Sequence, residues 1–187
     1  MLSLSTAGER QMLHKFSVKN FRNFSDRLIF DLSSQQYEFN ANAVNNGVIQ
    51  HAMIYGPNGG GKSNLGLAMV DPVLHLIDSP SYLNSLDTNY LNGGAGVLIA
   101  EFDFEYRIDG VGINYKYGKK SRESMVYETL SIDGEQILHV DRRQSSHASI
   151  RLKGAENLKS DVGTSEISLL KYVRSNTILD ETRCLSA

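Results

Sequence analysis

Met53-Ile54-Tyr55-Gly56-Pro57-Asn58-Gly59-Gly60-Gly61-Lys62-Ser63-Asn64-Leu65 is the stretch on which the fold turns. Its middle, Gly56 to Ser63, satisfies G-x-x-x-x-G-K-[ST], the pattern of a phosphate-binding loop. Glycines at these positions let consecutive backbone N–H groups curl inward around phosphate oxygens. At average glycine usage a chance match in a chain this long has a probability of roughly one per cent, so nucleotide binding is the expected reading. Ahead of the loop, the apolar run Ala52-Met53-Ile54-Tyr55 halts at Gly56-Pro57-Asn58, which predicts a buried strand ending in a glycine loop. Behind it, Leu65, Ala68, Met69, Leu74 and Ile77 recur at three- and four-residue steps, so a helix is expected over Lys62 to Ile77. Pro72 lies inside that helix and predicts a kink, or a second helix with Asp71 as its cap. The helix start adds its positive end to the cradle. Lys62 is expected to reach the β and γ phosphates of ATP, and the Ser63 hydroxyl to be a ligand of Mg²⁺.

Outward from the loop the periodicity changes from helical to alternating. LHKFSVKNF from Leu13 and RLIFDLS from Arg27 are alternating runs joined by Arg22 to Asp26, good turn composition, and read as a hairpin. The segment Ser33 to Gly47 is polar and rich in Asn and Gln. Further on, Phe102, Phe104, Tyr106 and Ile108 face one way and Glu101, Asp103, Glu105 and Arg107 the other. Asp109-Gly110 then turns into Val111, Ile113, Tyr115 and Tyr117, a strong hairpin signal. A further hairpin pairs Tyr127 to Ile132 with Gln136 to Val140 around Asp133-Gly134-Glu135. The stretch Val97 to Val140 thus predicts an antiparallel lobe with Phe102, Phe104, Tyr106, Ile113 and Tyr115 on its buried face. Ser165 to Arg174 predicts a short helix capped by Thr164 or Ser165.

With 187 residues, ordinary composition and no low-complexity tract, one domain with its own core is expected. The net charge of −2 provides no global field to draw the protein onto nucleic acid or an anionic membrane. Cys184 is the only cysteine, so an intrachain disulfide and a zinc ligand set are both excluded, and a reducing, cytoplasmic setting fits. No apolar run approaches the roughly 20 residues of a membrane span. Met1 to Gln11 is polar and patternless, and reads as a flexible leader.

HKFSVKNFRNFS from His14, followed about thirty residues later by MIYGPNGGGKSNL, resembles the opening of the SMC and RecF type of ABC ATPase head. It is most similar to the bacterial AAA15 ATPases, the group that includes overcoming-lysogenization-defect nucleases and many anti-phage defence ATPases. The resemblance implies an α/β P-loop NTPase fold of ABC-ATPase head type. Residues 12–187 would be its N-terminal lobe, with antiparallel β hairpins and a P-loop helix, in a domain continuing beyond Ala187. It implies that the arginine of the N-F-R motif, here Arg22, points back toward the bound phosphates, and that Asn58 and Asn64 support the loop. It further implies a homodimer or larger oligomer formed through ATPase heads, a separate effector protein or nucleic acid as further partners, and no membrane.

The same family implies a glutamine loop, an L-S-G-G-[QE] signature and a Walker B strand ending in Asp-Glu, and none of these can be assigned. Leu91-Asn92-Gly93-Gly94 mimics the signature, yet a glycine and a β-like run follow where a helix should open. Thr177-Ile178-Leu179-Asp180-Glu181 mimics Walker B, with too short an apolar lead-in for a buried central strand. Val97 to Glu101 is better read as a lobe strand. The five histidines, His14, His51, His75, His139 and His147, lack ligand spacing and read as surface or packed residues. Lys119, Lys120 and Arg122, with Arg142 and Arg143, read as solvated hairpin ends rather than a DNA contact. Two rivals stand beside the ATPase: a non-hydrolysing module that uses ATP to fix a dimer, and a small P-loop kinase. The kinase would follow its P-loop helix with parallel strands, where this pattern is antiparallel.

Overall fold

The computed structural model describes residues 12–34, 41–77, 89–94, 96–163 and 165–177. The alternating stretches become strands β1 (Met12–Lys19), β2 (Leu28–Asp31), β3 (Val44–Asn45), β4 (Val48–Ile49), β5 (Ala100–Ile108), β6 (Val111–Lys119), β7 (Met125–Ile132), β8 (Glu135–Asp141) and β9 (Ser149–Ile150). Two helices, α1 (Lys62–Leu76) and α2 (Leu169–Asn176), and a 3-10 turn at Ala41–Ala43 complete the described elements. Seven strands form one sheet in the order β2-β1-β5-β6-β7-β8-β9, antiparallel at every pairing, and β3 and β4 form a separate pair. The molecule is α/β with a mostly antiparallel sheet and few helices.

Local chemistry explains the hairpins. Asp109 and Gly110 have φ of 50° and 79°, Asp133 and Gly134 of 48° and 82°. These are the doubly left-handed pairs of two-residue turns whose twist matches that of the strands they join. Glu135 already belongs to β8 and pairs with Ile132, so the second turn is one residue shorter than its sequence suggests. Pairing places Phe102 opposite Tyr117, Phe104 opposite Tyr115 and Tyr106 opposite Ile113. The period of two then gathers these side chains on one face, where Phe102 and Tyr117 stack at 4.9 Å and Phe16 and Phe104 at 5.4 Å. Phe102, Phe104, Ile113 and Tyr115 are buried and Tyr106 is half-buried.

Helix α1 packs on this face through Leu65, Ala68, Asp71 and Pro72. It runs as one helix through Pro72, so the second helix with Asp71 as its cap does not form. The Asp71 carboxylate is instead buried, accepting from Tyr90 Oη at 2.9 Å and Tyr117 Oη at 2.8 Å and lying 3.1 Å from Lys119 Nζ. One turn later His75 Nε2 is 2.8 Å from Tyr115 Oη, which donates to Glu128 at 2.8 Å. Glu128 also accepts from the backbone N–H of Leu169 at 2.6 Å and Leu170 at 3.1 Å, and from Ser168 Oγ at 2.8 Å. A continuous buried polar chain therefore joins the middle of α1 to the start of α2 through the sheet.

That chain corrects two further expectations. Helix α2 is capped by Ser168, whose hydroxyl accepts from Lys171 N, and not by Ser165; Thr164 lies outside the described residues. Lys119 and Arg122 are buried, not solvated hairpin ends. Arg142 is spent on the carbonyls of Ser165 and Ile167, and Arg143 on the Asp141 carboxylate. Of the five, Lys120, 4.0 Å from Glu166, and Arg143 remain solvent-facing, as the sequence reading expected.

The expected buried strand before the loop is also absent. Residues 51–57 belong to no element, and Met53 and Tyr55 are each 81 % exposed. Among the described residues no strand offers them a ladder, and an apolar run without hydrogen-bonding neighbours cannot become a buried strand. Val97 to Ile99 likewise precede β5 rather than joining it, and Leu98 is exposed. No described helix is long and apolar enough to cross a membrane.

Candidate functional site

The glycine loop adopts the conformation its sequence requires. Gly59 and Gly61 have φ of 80° and 93°, in the left-handed region that only glycine enters without strain. Gly60 N donates to the Pro57 carbonyl at 3.1 Å, closing the turn, and a Cβ on Gly60 would stand 3.0 Å from that same oxygen. Gly61 is the N-cap of α1 and offers no side chain to the first-turn N–H groups. The first turn also carries no acidic residue. An uncapped helix start, with Lys62 as its first residue, is electropositive and presents unused donors.

Lys62 folds over the loop, donating from Nζ to the carbonyls of Gly56 and Pro57, both at 2.8 Å. Ser63 follows it on the first turn, exposed, and its hydroxyl bonds to no described residue. Mg²⁺ holds most of its waters and takes one or two protein oxygens, so a single hydroxyl beside the glycine loop is chemically compatible with that ion. Among the described residues no group of three or more His, Cys, Asp or Glu could hold a metal by itself. Asn58 is exposed near the tip of the loop.

The hairpin turn after β1 lies against this loop. Asn64 Nδ2 donates to Asn23 Oδ1 at 2.7 Å. The Asn23 amide also occupies the space a Cβ on Gly61 would need. Arg22 precedes it with φ of 50°, its guanidinium 5.6 Å from the centre of the Phe21 ring. On its other side the turn is fixed to the segment before β5. Arg22 N donates to the Tyr90 carbonyl at 3.1 Å, Asn92 N to the Asn20 carbonyl at 2.9 Å, and Asn92 Nδ2 to the Arg22 carbonyl at 2.6 Å. Leu91-Asn92-Gly93-Gly94, the signature mimic, opens no helix and serves as this buttress. Of the Walker B mimic, residues 178–181 lie outside the described residues, as do residues 1–11 and Cys184.

Of the residues singled out in the sequence, the structure thus joins Gly56 to Gly61 in one surface loop running into Lys62, Ser63 and Asn64 on the first turn of α1, and sets the Arg22 turn beside it. Asn23 and Asn92 were missed, because a turn asparagine has no periodicity that shows what it will touch. A cavity of about 300 Å³, lined by His75, Lys119, Arg122 and Lys171 among others, lies at the far end of α1 from the loop. We favour the loop over this cavity as the site, because only the loop presents unclaimed backbone donors with a lysine. No protein-family model matches the chain, and no curated protein matches it.

Proposed function

We propose that this chain binds ATP with Mg²⁺ at Gly56 to Ser63, as the N-terminal lobe of an ABC-type ATPase head of the AAA15 kind. The observation that carries the reading is the uncapped start of α1, entered through Gly61 in the left-handed region and led by Lys62. On nucleotide binding, Lys62 would exchange the carbonyls of Gly56 and Pro57 for β- and γ-phosphate oxygens, and the first-turn N–H groups would take phosphate acceptors. Ser63 would supply one oxygen to Mg²⁺. Arg22, on the adjoining turn, supplies positive charge next to the developing site. In the complete protein the bound ATP would be hydrolysed, and the head would act as a cytoplasmic switch in phage defence or DNA metabolism, working as a homodimer or larger oligomer.

A second reading, an ATP-dependent dimerisation module without turnover, is favoured by one observation. Met53, Ile54 and Tyr55, consecutive in the chain, are all exposed apolar side chains, and such a run is suited to association. The kinase reading is disfavoured, since every described pairing in the main sheet is antiparallel. Calorimetric titration of MgATP into the chain tests the proposal. Saturable binding that Lys62→Ala removes supports it, and equal affinity in parent and variant overturns it.

A further inference from the structure

We propose that Asn23 is a positioning residue for the nucleotide site, locking the phosphate loop and the first turn of α1 in the receptive conformation; this rests on the reading of Gly56 to Ser63 as a nucleotide site. Three observations converge on its amide. It accepts from Asn64 Nδ2 at 2.7 Å, so it grips the first turn of α1. It fills the space where a Cβ at Gly61 would lie, so it also braces the last glycine of the loop at φ of 93°. The turn from which it reaches is immobilised on its far side by Asn92, Tyr90 and the buried ring of Phe21, 5.1 Å edge-on from Tyr90 and 5.3 Å from Phe102. Asn23 therefore bridges a rigid platform and a loop whose own residues 56–60 are all exposed.

The physical role follows from that placement. A glycine-rich loop populates many conformations, and its affinity for phosphate is reduced by the fraction of time it spends in the competent one. A side chain that excludes alternatives at Gly61 and fixes the start of α1 raises that fraction without touching the ligand. Asn23 should then help every nucleotide carrying a β-phosphate equally, because what it holds is the loop. Arg22, through its charge, should matter more for ATP than for ADP. The same contact also sets Arg22 and the loop in fixed relation, since the two residues are adjacent in one braced turn.

The test is titration of MgATP and MgADP into the full chain and its Asn23→Ala, Asn64→Ala, double and Arg22→Ala variants, with thermal midpoints recorded without nucleotide. Asn23→Ala is expected to weaken both nucleotides by the same factor, about tenfold if the competent fraction falls to about a tenth. Asn64→Ala should weaken both in the same direction, and the double variant should be no worse than Asn23→Ala, because the two side chains share one bond. A merely structural role would lower the midpoint and leave the affinity of the folded protein unchanged. Should Asn23→Ala fail to fold, Asn64→Ala on the helix surface carries the same test. Parent-like affinity in Asn23→Ala, or loss for ATP alone, overturns the inference while Lys62-dependent binding keeps the nucleotide site. Absence of binding by the parent chain overturns both.

Discussion

Lys119 Nζ lies 3.1 Å from the Asp71 carboxylate in the interior, tying the end of β6 to the middle of α1, each side chain almost wholly out of solvent. A charge pair so buried holds α1 on the sheet only while both partners are present, and it fixes the direction in which that helix presents the glycine loop.

Replacing Lys119 by Met is therefore expected to destabilise the fold by about 3–5 kcal/mol, because the Asp71 charge is left buried without its cation. Tyr90 and Tyr117 would still donate to Asp71 but cannot neutralise it. Urea denaturation of Lys119→Met beside the Asp71→Asn, Lys119→Met double variant measures this. The double variant should recover much of the loss, and a loss in the single variant below about 1 kcal/mol would contradict the pairing.

Acid should reveal the same group. Burial on its own would raise the Asp71 carboxyl, but the Lys119 ammonium, then His75 and Tyr117, outweigh it and hold the group at about 2 against an ordinary 3.8. The folded state thus binds protons less readily than the unfolded one. The stabilisation is complete above about pH 4 and is lost as pH falls through about 2. The stability gap between the parent and Asp71→Asn should be constant near neutral pH and shrink across that acid window. A gap that narrows instead between pH 6 and 8 would point to a different group.

Beside the Ser168 cap, Glu128 accepts the first N–H groups of α2 from across the sheet, a contact that no local pattern reveals. Glu128→Ala would strand the N–H groups of Leu169 and Leu170, leave the Ser168 hydroxyl without its acceptor and leave Tyr115 with His75 alone, costing about 3 kcal/mol. Glu128→Gln can keep three of those bonds but must set its amide against Leu169 N–H, so its loss should be smaller. Amide hydrogen exchange at 169–173 reads the effect directly, and unchanged protection in Glu128→Ala would show that α2 is held by packing of Leu169 and Val173 alone.

The chain by itself is expected to bind MgATP without sustained turnover. On the proposed reading, loop and lysine would supply a ground-state cradle, whereas phosphoryl transfer also needs an oriented water and stabilisation of developing charge. The first turn of α1 provides no acidic group for that purpose. A phosphate-release assay checks it, and steady release abolished by Lys62→Ala would contradict it.

Much of the sheet was legible in the sequence because its signals are local. Alternation from Glu101 to Ile108 and the Asp-Gly pairs at 109–110 and 133–134 specify strand, turn and register within a few residues of chain. The helix after Lys62 was legible for the same reason. The apolar run Ala52 to Tyr55 was misread because burial of a strand depends on neighbours across the sheet, which its own residues cannot supply. Lys119 and Arg122 were misread likewise: a charge looks solvated until the fold shows what encloses it.

For the site, the sequence alone determined the left-handed glycines, the lysine and the serine, since G-x-x-x-x-G-K-S dictates backbone freedom and side-chain chemistry together. Only the tertiary structure decided what stands beside them. Asn23 meets Gly61 and Asn64 across 38 and 41 positions of chain, and Asn92 holds Arg22 across 70. Such contacts carry no periodicity and no spacing rule, because they exist only once the hairpin, α1 and the segment before β5 have been packed by a core shared among all three.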